Sequence, residues 1–173
     1  MDLIIRDVAP ADLPAISALY AAEVRDHVNT YEYDVPDEAE MQRRMQGIVA
    51  AGYPYLVAEA GGQLLGYAYA SSYRARAGYR FTVENSVYVA VEQQGHGVGA
   101  ALLQRLIAEC EARGYRQMIA VIGEPANTAS IRLHEKSGFQ LVGVFHGIAW
   151  KHDRWLDTVQ MQRALGIGDS DAP

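Results

Sequence analysis

Apolar and polar positions along this chain recur with two periods, and the changes from one period to the other mark out its elements. "DLIIRDV" (2–8) is short and β-branched, as in a strand. Leu13, Ile16, Leu19 and Tyr20 then share one face at helical spacing, with Asp12 in an N-cap position and Pro14 in the first turn. "VPDEAEMQRRMQGIVAAGY" (35–53) predicts a second helix, capped by Asp37, acidic in its first turn and stopped by Gly52. "YPYLVAEA" (53–60) and "LLGYAYASSY" (64–73) read as strands of a hairpin around Gly-Gly-Gln. "FTVENSVYVAV" (81–91) is a third β-rich run and leads into Gly95, Gly97 and Gly99. An apolar-striped helix follows to about Arg113, with Gly114 as its C-cap. "QMIAVIG" (117–123) is a continuous apolar run, as for a strand buried on both faces. Asn127 or Thr128 opens another helix, which Gly138 ends, and "FQLVGVFHG" (139–147) and "WLDTVQMQ" (155–162) are the last two strands.

The resulting order is β-α-α-β-β-β-α-β-α-β-β. The early hairpin argues against a purely parallel sheet, while the β-α-β-α-β portion predicts parallel pairing around 87–123. The expectation is an α/β chain with one mixed sheet and helices on both faces. No repeat or linker interrupts it, so residues 1–165 are expected to form a single domain. The tail "GIGDSDAP" (166–173) has little to bury and is expected to be mobile.

Composition narrows the partners. The 173 residues carry a formal charge of −6 without a Lys/Arg-rich run, which argues against nucleic acid. "MDLIIRDVAP" has no basic region followed by an apolar core, and no stretch reaches the ~18 apolar residues of a membrane span. A cytoplasmic location away from membranes is expected. Cys110 is the only cysteine, so an intramolecular disulfide is impossible; it continues the stripe of Leu103, Leu106 and Ile107 and reads as a small buried apolar residue. No Cys/His cluster has metal-ligand spacing, and no metal is expected.

The candidate chemistry starts at "QQGHGVGAAL" (93–102). A helix N-terminus presents unpaired N–H groups and a partial positive charge, and glycines keep side chains out of an anion's way. A phosphate-bearing ligand is the reading. The Walker pattern is absent, but "GHGVGA" satisfies G-x-G-x-x-A and Glu124 follows the next strand, so a dinucleotide fold also fits the motif. Against it, the acidic residue lies beyond the usual ~20 residues and the motif sits mid-chain after antiparallel-looking strands. Arg74, Arg76 and Arg80 are concentrated in an otherwise acidic chain, interleaved with Tyr73 and Tyr79, and guanidinium groups suit carboxylate or tetrahedral oxyanions.

The loop resembles the Q/R-x-x-G-x-G/A loop of the GNAT acetyltransferase superfamily, with Gln94, Gly97 and Gly99 on the pattern. "SVYVAV" before it and "NTASIRLHEKSGF" (127–139) after it are also similar to that superfamily. "YPYLVAE", "LGYAYASSYRARAGYRFTVENSVYV", "AVIGEPANTASIRLHEKSGF" and "KHDRWLDTVQMQ" together resemble the phosphinothricin (methionine sulfoximine) N-acetyltransferase family over about residues 3–165. The resemblance implies that the amides of Gly95, His96, Gly97, Val98, Gly99 and Ala100 hold the pyrophosphate of acetyl-CoA. It implies that the flanking strands splay and take the pantetheine between them, with Val87, Tyr88 and Val89 against the cofactor and the Val89 N–H on the acetyl carbonyl.

Asn127 corresponds to an asparagine that contacts coenzyme A. Glu84 corresponds to the general base. His134 stands where the wider superfamily places a tyrosine, as in the narrower family, and serves as proton donor to the sulfur or as a second base. Arg74, Ala75, Arg76 and Tyr79 match positions that grip an amino acid acceptor, with Asn85 and Ser86 bordering it and Tyr31 in a loop (29–36) closing over it. The implied activity is acetylation of the α-amine of a small amino acid analogue, by direct transfer in a ternary complex within a homodimer. Another amine acceptor on the same fold, or a non-catalytic acyl-CoA or nucleotide sensor, are the alternatives.

Overall fold

In the computed structural model, which describes residues 2–173, the chain forms β1 (Ile4–Asp7), α1 (Leu13–Asp26), α2 (Glu38–Ala50), β2 (Tyr55–Ala60), β3 (Gln63–Ser72), β4 (Thr82–Val89), α3 (Val98–Ala112), β5 (Gln117–Ile122), α4 (Thr128–Lys136), β6 (Gln140–Lys151) and β7 (Arg154–Ala164). The strands make one mixed sheet in the order β1-β2-β3-β4-β5-β7-β6, with β4 and β5 its parallel pair. Helices cover both faces. Leu13, Ile16 and Tyr20 of α1 and Met41 and Met45 of α2 pack on Tyr55, Val57, Tyr67 and Tyr88. On the other face Leu102, Leu103, Leu106 and Cys110 of α3 pack on Leu56, Ala68, Ala70, Val83 and Met118. Alternate strand residues therefore feed two separate apolar layers.

Local signals set most boundaries. Asp37 accepts from the Glu40 N–H at 2.8 Å and caps α2. Asp12 does not cap α1: its carboxylate accepts from both Arg6 guanidinium ends at 2.8 Å and from the Ala9 N–H at 2.7 Å. The ion pair between β1 and the turn before α1 outcompetes the local cap. β6 and β7 run longer than their sequence patterns suggest. Their hairpin turns at His152 and Asp153, both in the left-handed region without being glycine, so the usual turn signature is missing.

The parallel pairing is shorter than expected. It runs from Thr82–Gln117 to Asn85–Ala120 and stops there, although β4 continues to Val89 and β5 to Ile122. Each strand stays paired on its outer edge. Val89 still faces Gly66 of β3, and Ile122 still faces Val159 of β7. The sheet thus divides into two halves along a gap.

Gly66 lets β3 approach β4 at that gap. A Cβ there would lie 2.6 Å from the Tyr88 carbonyl oxygen and 3.3 Å from Leu102 Cδ1. Gly66→Ala should therefore lower stability by about 1–3 kcal/mol, as overpacking does, read by denaturant unfolding; an unchanged midpoint would mean β4 moves aside freely.

Candidate active site

A cleft of about 670 Å³ occupies the gap between the two halves. β4 contributes Glu84 to Val89, β5 and its end contribute Ala120 to Gly123, and the turn into α3 contributes Gln93, Gln94, Gly95, Gly97, Gly99 and Ala100. Asn127 and the inner side of α4, including Ser130, Leu133 and His134, close one wall. Asn29, Thr30 and Tyr31 close the end nearest α1.

The backbone of β4 turns its polar groups into this gap. The Ala90 N–H bonds the Leu65 carbonyl of β3 at 2.9 Å. Successive residues of a strand point their amides to opposite edges, so Val87 and Val89 present theirs toward the side that β5 has left. The three glycines act differently from one another. Gly95 (φ +77°) and Gly97 (φ +84°) adopt the left-handed turn that starts α3, and a Cβ on either would touch nothing within 4 Å. Gly99 lies in the first turn of α3 against the cleft wall, where a Cβ would make ordinary contacts, 3.4 Å from Leu133 and 3.5 Å from Val89. The first helical bond runs from the Ala101 N–H to Gly97 O, at 3.0 Å. The amides of Val98, Gly99 and Ala100 precede it without a backbone partner, and Gly99 and Ala100 line the cleft.

The titratable residues fall on the two faces of the sheet. Glu84 projects to the α1/α2 side, where burial without a compensating partner holds its carboxyl above the usual carboxylate range. His134 lies on the α4 side, buried, with Nδ1 2.8 Å from the Ser130 carbonyl and Nε2 3.0 Å from Asn85 Oδ1. Burial pushes its proton affinity down, and the Ser130 carbonyl opposes this. Cys110 is fully buried in α3 with its thiol pushed up to about 12 by burial, which removes it as a nucleophile.

The chain segment 27–33 is strapped across the end of the cleft nearest α1. Lys151 Nζ, buried, donates to the carbonyls of His27 at 2.8 Å and Thr30 at 2.7 Å. The Tyr31 hydroxyl donates to Gly123 O at 3.1 Å and pairs with the Thr158 hydroxyl at 2.6 Å. Tyr33 donates to the Trp150 carbonyl. Asn127 caps α4 through Oδ1, accepting from the Ser130 N–H, while its Nδ2 donates to Asn29 at 2.8 Å. Asn29 in turn donates to the buried Glu23 at 2.6 Å. Sequence reading passed over Lys151 and Glu23, because a lone charge within a strand or on a helix looks like a solvated one.

Of the residues expected at the site, Glu84, Asn85, Ser86, Val87, Tyr88, Val89, Gly95, Gly97, Gly99, Ala100, Asn127, His134 and Tyr31 line the cleft together. His96 is exposed on the turn, and the Val98 side chain is buried in the core. Asn85 turns its side chain to the α4 face and not toward the face that carries Glu84. Arg74, Ala75, Arg76 and Tyr79 stand apart from the cleft on an exposed loop between β3 and β4. There Arg74 lies over the rings of Tyr73 and Tyr79, at 5.1 and 5.6 Å from their centroids. The three arginines of that loop, Arg74, Arg76 and Arg80, are exposed and keep it in solvent.

The model of the Acetyltransferase (GNAT) family matches residues 16–139, which span α1 to the end of α4 and include the whole cleft. The chain belongs to the GNAT acetyltransferase family. Among relatives of this GNAT chain is the phosphinothricin N-acetyltransferase of Alcaligenes faecalis, 50% identical over 98% of this chain and 86% of that protein. The L-methionine sulfoximine/L-methionine sulfone acetyltransferase of Pseudomonas aeruginosa is 42% identical over 95% of this chain and 96% of its own length. A phosphinothricin acetyltransferase from Sinorhizobium meliloti, solved in complex with acetyl-CoA, superposes with a TM-score of 0.96 at 48% identity, covering 100% of this chain and 94% of that one. Acetyl-CoA is the acetyl donor of this GNAT fold. Among the described residues no helix is long and apolar enough to cross a membrane, and no group of acidic, His and Cys side chains is disposed to hold a metal.

A Cβ on Gly123 would fall 1.9 Å from the Val28 carbonyl oxygen. Gly123→Ala should push the 27–33 strap off the cleft, seen as faster hydrogen exchange of its amides by about tenfold or more while α3 is unaffected; unchanged exchange in the strap would refute this contact.

Proposed function

We propose that this chain transfers acetyl from acetyl-CoA to the α-amine of a small amino acid analogue with a tetrahedral phosphorus or sulfur centre, of the phosphinothricin, methionine sulfoximine or methionine sulfone type. The observation that carries this reading is the stretch of β4 beyond Asn85, whose amides face an open gap beside the bare N-terminus of α3. The pyrophosphate fits the amides from Gly95 to Ala100, and the pantetheine fits the gap against Val87, Tyr88 and Val89. Asn127 borders it. The Val89 N–H is the donor for the acetyl oxygen as it becomes an oxyanion.

The acceptor enters on the Glu84 side, beneath Tyr31 and beside Ser86. Glu84 takes a proton from the ammonium group, directly or through water. The freed nitrogen lone pair forms the C–N bond, the C–S bond breaks with its electrons on sulfur, and a second N–H proton leaves as the amide forms while the sulfur is protonated. His134 serves the proton movements on the far side of the gap. No acetyl-enzyme is needed, and Cys110 offers none. Arg74 and Arg76 have no carboxylate within 4.0 Å among the described residues, and Arg74 already shares aromatic contacts with Tyr79. With Ala75 they are assigned to the acceptor's anionic end, a role that requires their loop to swing from its exposed position between β3 and β4 toward the Glu84 side of the cleft. The reading extends to a cytoplasmic, detoxifying homodimer; exposed Leu141, Val142, Phe145, Ile148 and Trp155 on β6 and β7 supply an apolar face suited to a second copy.

Thiol release from acetyl-CoA, followed over a panel of amines, tests the acceptor class. Phosphinothricin and methionine sulfoximine should outperform polyamines, aminoglycosides and peptide N-termini; turnover confined to cationic or peptide amines, or coenzyme A binding with no turnover at all, would contradict the assignment. Arg74→Ala should raise KM for the analogue about tenfold or more, the loss of a charge-assisted hydrogen bond, with KM for acetyl-CoA unmoved.

Glu84→Gln should lower kcat by about 10²–10⁴-fold while calorimetry finds coenzyme A binding intact. In the parent enzyme the base works only when ionised, and its carboxyl is held high by burial. Activity should therefore fall as pH drops through a midpoint above the ~4.3 of an ordinary glutamate; an acid limb at or below that value, or one that persists in Glu84→Gln, would remove Glu84 from the role.

A further inference from the structure

Asn85 sits where β4 and β5 part, paired with Ala120 at the last registered position. Its side chain is only 6% exposed. The carboxamide joins three elements: Nδ2 donates to the Ile119 carbonyl of β5 at 3.1 Å, and Oδ1 stands 3.0 Å from His134 Nε2 on α4. The other ring nitrogen of His134 stands 2.8 Å from the Ser130 carbonyl. Both ring nitrogens thus face oxygen acceptors.

A neutral imidazole has one N–H and one lone pair, so it can satisfy only one of these oxygens. Turning the amide over would offer Nδ2 to a ring lone pair, but it would then set Oδ1 against the Ile119 carbonyl oxygen. With the ring protonated on both nitrogens, all three contacts are donor to acceptor. Nothing charged competes for the ring. On β4, Glu84 projects to the opposite face. On β7, Arg163 is engaged with the Ser137 carbonyl. Arg132, Glu135 and Lys136 of α4 are exposed, and the edge of Phe139 or of the ring itself packs at a 4.9 Å centroid distance. β5 brings only Ile119 and Ala120 to this point.

We propose that Asn85 is a positioning residue whose carboxamide aims the His134 ring and completes its hydrogen bonding only when the ring carries a second proton. The pair is a one-proton store in the cleft wall, built without a counter-charge. Burial weakens the hold on that proton and the Ser130 carbonyl opposes this; the amide oxygen at 3.0 Å from Nε2 adds a second acceptor for the charged ring. The consequence for catalysis rests on the acetyl-transfer reading above; the arrangement of the ring does not.

NMR titration of ¹⁵N-histidine ring resonances tests this in the full chain, comparing the parent with Asn85→Leu and Asn85→Asp. The midpoint of His134 should fall by about one pH unit, tenfold in proton affinity, in Asn85→Leu, which removes the acceptor at similar volume. It should rise by a similar amount in Asn85→Asp, which keeps the shape and adds charge. The limb of the kcat pH profile that follows His134, separate from the acid limb set by Glu84, should move with the same sign in each variant, with KM for acetyl-CoA held within about threefold, as for an effect confined to the ring. Should Asn85→Leu fail to fold, Asn85→Asp carries the test alone. A His134 midpoint unchanged in Asn85→Asp, or a parent Nε2 that bears no proton at any pH where the fold persists, overturns the proposal. Midpoints that move as stated in a chain that acetylates no amine would uphold the positioning of His134 and refute the acetyl-transfer reading instead.

Discussion

Everything chemical in this fold depends on two neighbouring strands that stop pairing partway along their length. β4 stays bonded to β3 as far as Val89, and β5 stays bonded to β7 as far as Ile122, so each is held on its outer edge after their shared ladder ends at Asn85 and Ala120. Sheet twist then carries the two halves apart. Backbone amides on the inner edge of β4 are left without strand partners, and such groups demand a ligand or water. The N-terminus of α3 lies at the open end of the same gap and has the same need. A long ligand with a carbonyl at one end and phosphates at the other satisfies both.

The gap also separates the titratable groups. One side carries Glu84 and the strap around Tyr31, and the other carries His134, Asn85 and α4. Under the proposed function, a thioester between the strands meets a carboxylate from one face of the sheet and an imidazole from the other, so the two need not touch. The strap itself is fixed by contacts to the ends of β5, β6 and β7 and to the cap of α4. The buried ammonium of Lys151 is the centre of that fastening. A charge placed there is stabilised by two carbonyls, with Glu23 and Glu32 raising its proton affinity against the lowering by burial.

Much of this was legible in the residues because the signals were local. The order of elements, Asp37 as a cap, the start of α3 and the stripe containing Cys110 each depend on a few neighbouring positions. Glu84 and His134 came from matched motifs, and they meet the same cleft. Features set by distant partners were not legible. Asp12 looks like a cap until Arg6 arrives from β1. Asn85 looks like a border of the acceptor until α4 packs on its face of β4. The arginines near position 74 are adjacent in sequence to β4, yet adjacency says nothing about the direction in which an exposed loop projects. The point at which β4 leaves β5 is fixed by β3 and β7 together, and no window of sequence contains all four strands.

The most direct test of the divided sheet as the cofactor site is a crystal structure of this chain with acetyl-CoA. The account predicts the pantetheine between β4 and β5, the acetyl oxygen within hydrogen-bonding distance of the Val89 N–H, and the pyrophosphate on the amides that begin α3. Acetyl-CoA bound elsewhere, or a β4 and β5 that close and pair to their ends with the cofactor present, would contradict it.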